Sequence, residues 1–159
     1  MLDAAGVESP PVDVVRVSKA HGVQVRHLKM PVRDNVAMFC AKAATWTIGV
    51  NRDFRASDRR HAAALGLARI YEAHRWDKVF VDQQSEKTPL DEKTIRALKI
   101  AACLLVPRMW VLDAMRYSYI STMHINSIDI DKEIRRLARR FGVRDATMIA
   151  RLAALGVYQ

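Results

Sequence analysis

The side chains that could do chemistry in this chain are few, and their spacing keeps them apart. The histidines are His21, His27, His61, His74 and His124. A helical zinc site needs two His four residues apart, so that both imidazoles leave one face, with a Glu beside them to activate the bound water. No two of these five lie three or four apart. His61 and His74 share one predicted helix, but at 100° per residue their separation sends them to different faces. Among candidate nucleophiles, Ser57 (beside Asp58), Ser118 and Ser121 have no G-x-S-x-G setting. Cys40 could meet a histidine only through the fold. Cys40 and Cys103 form no CxxC pair, and their apolar flanks predict buried thiols. The glycines are scattered, so no phosphate-cradling loop occurs, and no cofactor is expected.

Length and composition fit one soluble domain with a sizeable core. The chain has 159 residues, 50% of them hydrophobic and 27% charged. No apolar run approaches the roughly eighteen residues that would suggest a membrane span. The opening, MLDAAGVESPPVD, is acidic and carries prolines, unlike a secretory signal. A cytoplasmic location without membrane association is therefore expected. The formal net charge of +9 is the one outlier. It suits nucleic acid or an acidic protein as partner and says nothing about fold.

These residues must be positioned by a helix-rich chain. Pro11 and Gly22 bracket a first helix predicted over residues 12–21. A half-buried strand follows at 23–30, and the β-rich runs VAMFCAKA (36–43) and TWTIGVN (45–51) are close enough to form a hairpin. After Asn51 the period becomes helical. Ser57 or Asp58 is suited to cap a helix reaching about residue 74. Another helix starts at Leu90-Asp91, apolar around most of its circumference and so expected to be central. Pro107 ends or kinks it before a short helix containing RMWVLDAMRY.

The last third reads as a helical pair. Ile130, Ile134, Leu137 and Phe141 make an amphipathic stripe, acids lead and arginines follow in the order the helix dipole prefers, and Gly142 closes the helix. The spacing Ala138, Gly142, Val143, Met148, Leu152 matches a helix-turn-helix. In that reading Arg135, Arg136, Arg139, Arg140, Arg144 and Arg151 would contact a partner or nucleic acid. A plain hairpin packed on the main domain explains the same residues, and Met148, Ile149, Ala150 and Ala153 are poor readers of bases. The divisions expected are a tail at 1–11, a domain at 12–125, and the pair at 126–159, packed on that domain.

Three stretches, taken in order, carry a family resemblance. TWTIGVNRDFRASDRR (45–60) is similar to a strand ending in Val-Asn ahead of an active-site helix. TIRALKIAACLLVPRMW (94–110) resembles an EANxFAAxLLMP helix, with matches at Ala97, Ala101, Ala102, Leu104, Leu105 and Pro107. LARRFGVRDATMIARLAALG (137–156) resembles an ending with Phe, Val and Arg-Leu-x-x-Leu-Gly. Together they resemble the ImmA/IrrE family of metallopeptidases, whose active-site helix carries HExxH.

The resemblance implies an α+β fold: a small zincin-like domain with a short antiparallel three-stranded sheet packed on helices, plus the C-terminal pair. Carried over residue by residue, it places the first zinc His at Ala63, the general-base Glu at Ala64 and the second His at Leu67. The third ligand, eleven residues before Pro107, falls at Arg96. Methyl groups cannot bind zinc and a guanidinium repels it. Arg96 either fills the former metal cavity against an acid or sits at its rim. Active members cut helix-turn-helix repressors of phages, mobile elements or stress responses. The expected function is therefore that of a catalytically inactive regulator binding a repressor or other transcription regulator, without metal. Its cleft edge would be the strand 36–43 or that strand's hairpin partner. Direct DNA binding by the C-terminal pair, and peptidase activity from a non-standard metal site, are the alternatives. Self-association is left open.

Overall fold

The computed structural model describes residues 1–30, 36–40, 45–72, 80–82, 91–122 and 130–157, with the backbone alone at 36–40, 80–82 and 117–122. His74, Trp76, His124 and the loop around Pro89 lie outside the described residues, as do the side chains of Cys40, Ser118 and Ser121.

Local signals in the sequence set most element boundaries. Helix α1 (Val14–Ala20) begins where the Asp13 carboxylate accepts from the Arg16 amide at 3.0 Å, and ends before Gly22, whose φ of +72° suits glycine. Strands β1 (Val23–Leu28), β2 (Val36–Cys40) and β3 (Trp46–Asn51) follow. Helix α2 spans Ala56–Glu72, and a short strand, β4 (Phe80–Asp82), lies beyond it. Asp91 caps α3 (Glu92–Leu105) by accepting from the Thr94 amide at 2.8 Å. Pro107 separates α3 from α4 (Arg108–Thr122). The chain then forms α5 (Ile130–Phe141) and α6 (Asp145–Ala154). The first residues hold a 3-10 turn, Asp3–Ala5, with Ala5 buried.

The fold is α+β, but its sheet corrects the expectation of three antiparallel strands. Four strands lie in the order β1-β3-β2-β4, with β1 parallel to β3. The expected hairpin partners do pair antiparallel, Val36 opposite Val50 and Cys40 opposite Trp46. Burial explains the order. In β3 the residues from Thr47 to Asn51 are all buried, so this strand takes the interior, whereas β1 alternates and exposes Gln24, Arg26 and His27 as an edge strand does. On the other side, β4 pairs antiparallel with β2, Ala37 opposite Val81. Among the described residues the edges are thus β1 and β4. The expected cleft edge, β2 or its hairpin partner, is interior.

The helix at the centre is α2 rather than α3. Seven consecutive residues of α2, 62–68, are buried, which no helix with a solvent face could show. Helix α3 keeps an exposed side with Ile95, Arg96, Lys99 and Cys103, so Cys103 is not the buried thiol expected. It lies across the helix from Ala97, Ala101 and Leu104, which face the core. Trp46 and Trp110 pack partly buried against that core.

Candidate functional site

The seat of α2 is fixed by one glycine. A Cβ placed on Gly66 would come within 2.7 Å of Ile48 Cγ2, well inside van der Waals contact. Helix α2 therefore lies against β3 at a distance only glycine permits. Just beyond, Asn51 ends β3 as a buried polar anchor. Its Nδ2 donates to the Met30 carbonyl at 3.3 Å, and its Oδ1 accepts from the Asp53 amide at 3.1 Å. The Val-Asn ending of the strand and the Leu-Gly pair of the helix thus have packing reasons of their own.

Around Gly66, the positions at which the resemblance would put metal ligands hold side chains without metal-binding groups. Ala63, Ala64 and Leu67 are 3%, 0% and 2% exposed, closed in by neighbouring groups. Their side chains have no lone pair to offer a metal. Arg96 stands at the rim of the α2–α3 contact with its side chain 58% exposed. Its Nε lies 3.5 Å from Glu72 of α2, and its Nη2 donates to Glu92 Oε1, one turn back in α3, at 3.3 Å. It pairs with an acid across the two helices, as one expectation had it, but from the surface and not from within a cavity. Among the described residues, no three His, Cys, Asp or Glu side chains gather as a metal would need. This donor set does not fit the zinc ion that the resemblance implies. Ala63 instead edges an open groove of about 370 Å³ between α1, β1 and α2, lined also by Val14, Val25, His27 and Arg59.

The arginines of the C-terminal pair divide into two groups. Arg135, Arg139 and Arg140 are exposed along α5. The other three hold the structure together. Arg136 makes a two-pronged bond to Glu133 at 2.6 and 2.7 Å, which raises its already high pKa, and donates to the Ala114 carbonyl of α4 at 3.2 Å. Arg151 donates to the Val106 carbonyl, just after α3, at 3.0 Å. Arg144, just before α6, donates to Asp58 of α2 at 2.5 Å. A fourth cross-link comes from α2 itself, where Arg60 donates to the Gly142 carbonyl at 2.7 Å. In the helix-turn-helix reading Arg144 would face outward toward DNA; here its side chain is 65% exposed but is paired with an acid of α2.

Sequence spacing missed a cluster that the fold assembles between the starts of α2 and α6. Asp58, His61, Arg144 and Thr147 meet there over Phe54, Ala62 and Leu65, around a cavity of about 190 Å³. The hydrogen bond from Arg144, reinforced by its charge, lowers the Asp58 pKa against the opposing effect of burial. Burial lowers the His61 pKa, and the nearby Arg144 charge adds to this while Asp58 opposes it. The Nδ1 atom of His61 is buried with no hydrogen-bond partner among the described residues. Asp58 and His61 lie one turn apart on α2, which the sequence displays. Arg144 is 86 positions from Asp58, and no local pattern announces that pairing.

Compared with known proteins, residues 18–153 match the family model described as the IrrE N-terminal-like domain, a peptidase family. No match was found among curated proteins.

Proposed function

Because this chain belongs to the IrrE N-terminal-like peptidase family, we propose that it is a catalytically inactive member that works by binding another protein in the cytoplasm. The observation that carries the reading is the replacement of all four metal and base positions by Ala63, Ala64, Leu67 and Arg96, three of them buried and the fourth a cation. Hydrolysis in this family would require a zinc-activated water, and these side chains can neither hold the ion nor take the proton. What is left is a scaffold with an intact core.

The resemblance implies that active members act on a helix-turn-helix repressor. A member that keeps the surface and lacks the chemistry would sequester or shield such a repressor, in a phage or another mobile element. A positive net charge of +9 favours an acidic patch on that partner and a fast, salt-sensitive encounter.

The test joins two measurements on the purified chain. Elemental analysis should find no stoichiometric zinc, and a transcription regulator encoded beside this gene should co-purify with the chain uncut. Stoichiometric zinc, together with cleavage of that regulator that a chelator abolishes, would overturn the reading.

A further inference from the structure

The cavity between α2 and α6 has an arrangement of charge that its neighbours leave unfinished. Asp58 accepts from Arg144 Nε at 2.5 Å and from Ser57 Oγ at 3.2 Å, both on Oδ1. Arg144 commits only Nε among the described residues, so both Nη groups keep their donors. The other face of the ion pair is therefore open on both sides, with an acceptor oxygen on one and a donor edge on the other. His61 lines the cavity as well, with its Nδ1 buried beneath the surface and without a partner among the described residues. Burial lowers the His61 pKa, which favours the uncharged ring. The first turn of α6 has no side-chain cap, and Thr147 of that turn lines the cavity. An uncapped first turn favours an anionic group. The floor of Phe54, Ala62 and Leu65 is apolar.

Charge balance selects the ligand. The lining carries one carboxylate, one guanidinium and a neutral imidazole. A lone anion would compete with Asp58, and a lone cation with Arg144. A molecule bearing both charges on groups attached to one carbon would satisfy each without breaking the pair. At about 190 Å³ the cavity is smaller than the ~300 Å³ at which pockets for drug-sized ligands begin. We propose that this cavity binds a free α-amino acid with an apolar side chain. Its carboxylate lies on the Arg144 Nη groups and the start of α6, its ammonium on Asp58 Oδ2, and its side chain on the Phe54 floor. Such a ligand would join α2 to α6, so its binding would report on how firmly the C-terminal pair is held.

Titration calorimetry on the full chain, with L-leucine as probe, tests this. Saturable one-to-one binding is expected. Leucinamide lacks the carboxylate and N-acetyl-leucine lacks the ammonium, and each should bind about tenfold more weakly or worse, the effect of losing a charged hydrogen bond. Leucine should also shift the His61 ring resonances in ¹⁵N-histidine spectra with the same saturation curve, since that ring lines the cavity. Thr147→Val leaves the Asp58–Arg144 pair intact and should weaken binding severalfold with the fold preserved. Asp58→Asn, checked for folding by circular dichroism, should weaken it about tenfold. Absence of saturable binding at millimolar leucine would overturn the proposal, as would equal binding of leucine and its two blocked forms.

Discussion

At the scale of single residues, Gly66 and His61 make opposite demands on their surroundings. Gly66 needs the absence of an atom. Adding one in Gly66→Ala would push Ile48 Cγ2 or separate the helix from the strand, since the contact would start at 2.7 Å. Overpacking of this kind costs about 1–3 kcal/mol, and urea unfolding of the variant should show a lower midpoint by that measure. A midpoint equal to the parent's would mean that the helix–strand contact is looser than described. His61 needs a partner that the described residues do not give. Its folded pKa is lowered, so the unfolded chain takes up a proton first as the pH falls. The stabilisation is whole above the unfolded value near 6.5 and is lost as the pH falls through the folded value. Asp58 acts in the same direction lower down, from about pH 4. Melting temperatures should therefore decline from pH 7 to pH 5, and His61→Phe should flatten that first part of the decline. An equally steep slope in the variant would remove His61 from the account. The sequence displayed the identities of Ala63, Ala64 and Leu67 but not their burial, because spacing on one helix does not say what covers it.

At the scale of elements, the sequence was legible wherever the cause is local. Asp91 caps the helix it was expected to start, Gly22 and Gly142 follow helices with positive φ, and Pro107 divides α3 from α4. Asp13, by contrast, caps a helix it was expected to lie within, and Ser57 and Asp58, expected as caps, lie in the first turn of α2. Strand partnership was less legible. The parallel pairing of β1 with β3 depends on residues more than twenty apart, and alternation in one strand does not name its neighbour. The same limit hid β4, three residues long, and turned the expected edge into an interior strand. The turn between α5 and α6 gives this scale its test. Gly142 has φ +62°, and a Cβ there would run into the Arg60 guanidinium that donates to its carbonyl. Gly142→Ala should therefore lose about 1–2 kcal/mol from the left-handed backbone alone, and further stability as Arg60 is displaced. Hydrogen exchange should quicken across α5 and α6 together. Faster exchange confined to the turn itself would show that Arg60 does not couple the pair to α2.

For the whole molecule, the question is whether the C-terminal pair is an appendage or part of the core. Ile134, Leu137, Phe141, Met148 and Leu152 are buried in the same apolar cluster as α2, β3 and α3. Burial of a large apolar side chain contributes about 1.5–3 kcal/mol. Five such side chains together rival the roughly 5–15 kcal/mol by which a domain is stable. A chain ending after residue 129 should thus lose its cooperative thermal transition, and a sharp melt in that fragment would make the pair a separate unit. The charge of the molecule is also more structured than its total suggests. Arg136, Arg144 and Arg151 bond to other parts of the molecule even where they are exposed, whereas Arg135, Arg139 and Arg140 form an exposed basic row along α5.

The exposed thiol of Cys103 gives this molecule an address for a spectroscopic reporter. It lies two turns beyond Arg96 on the same helix, about 10 Å along the axis. With Cys40 replaced by serine, a single maleimide dye on Cys103 would sit outside the core. Its fluorescence could then follow the joint between α2 and α3 while amino acids or regulators are added, without altering a residue of either proposed interaction.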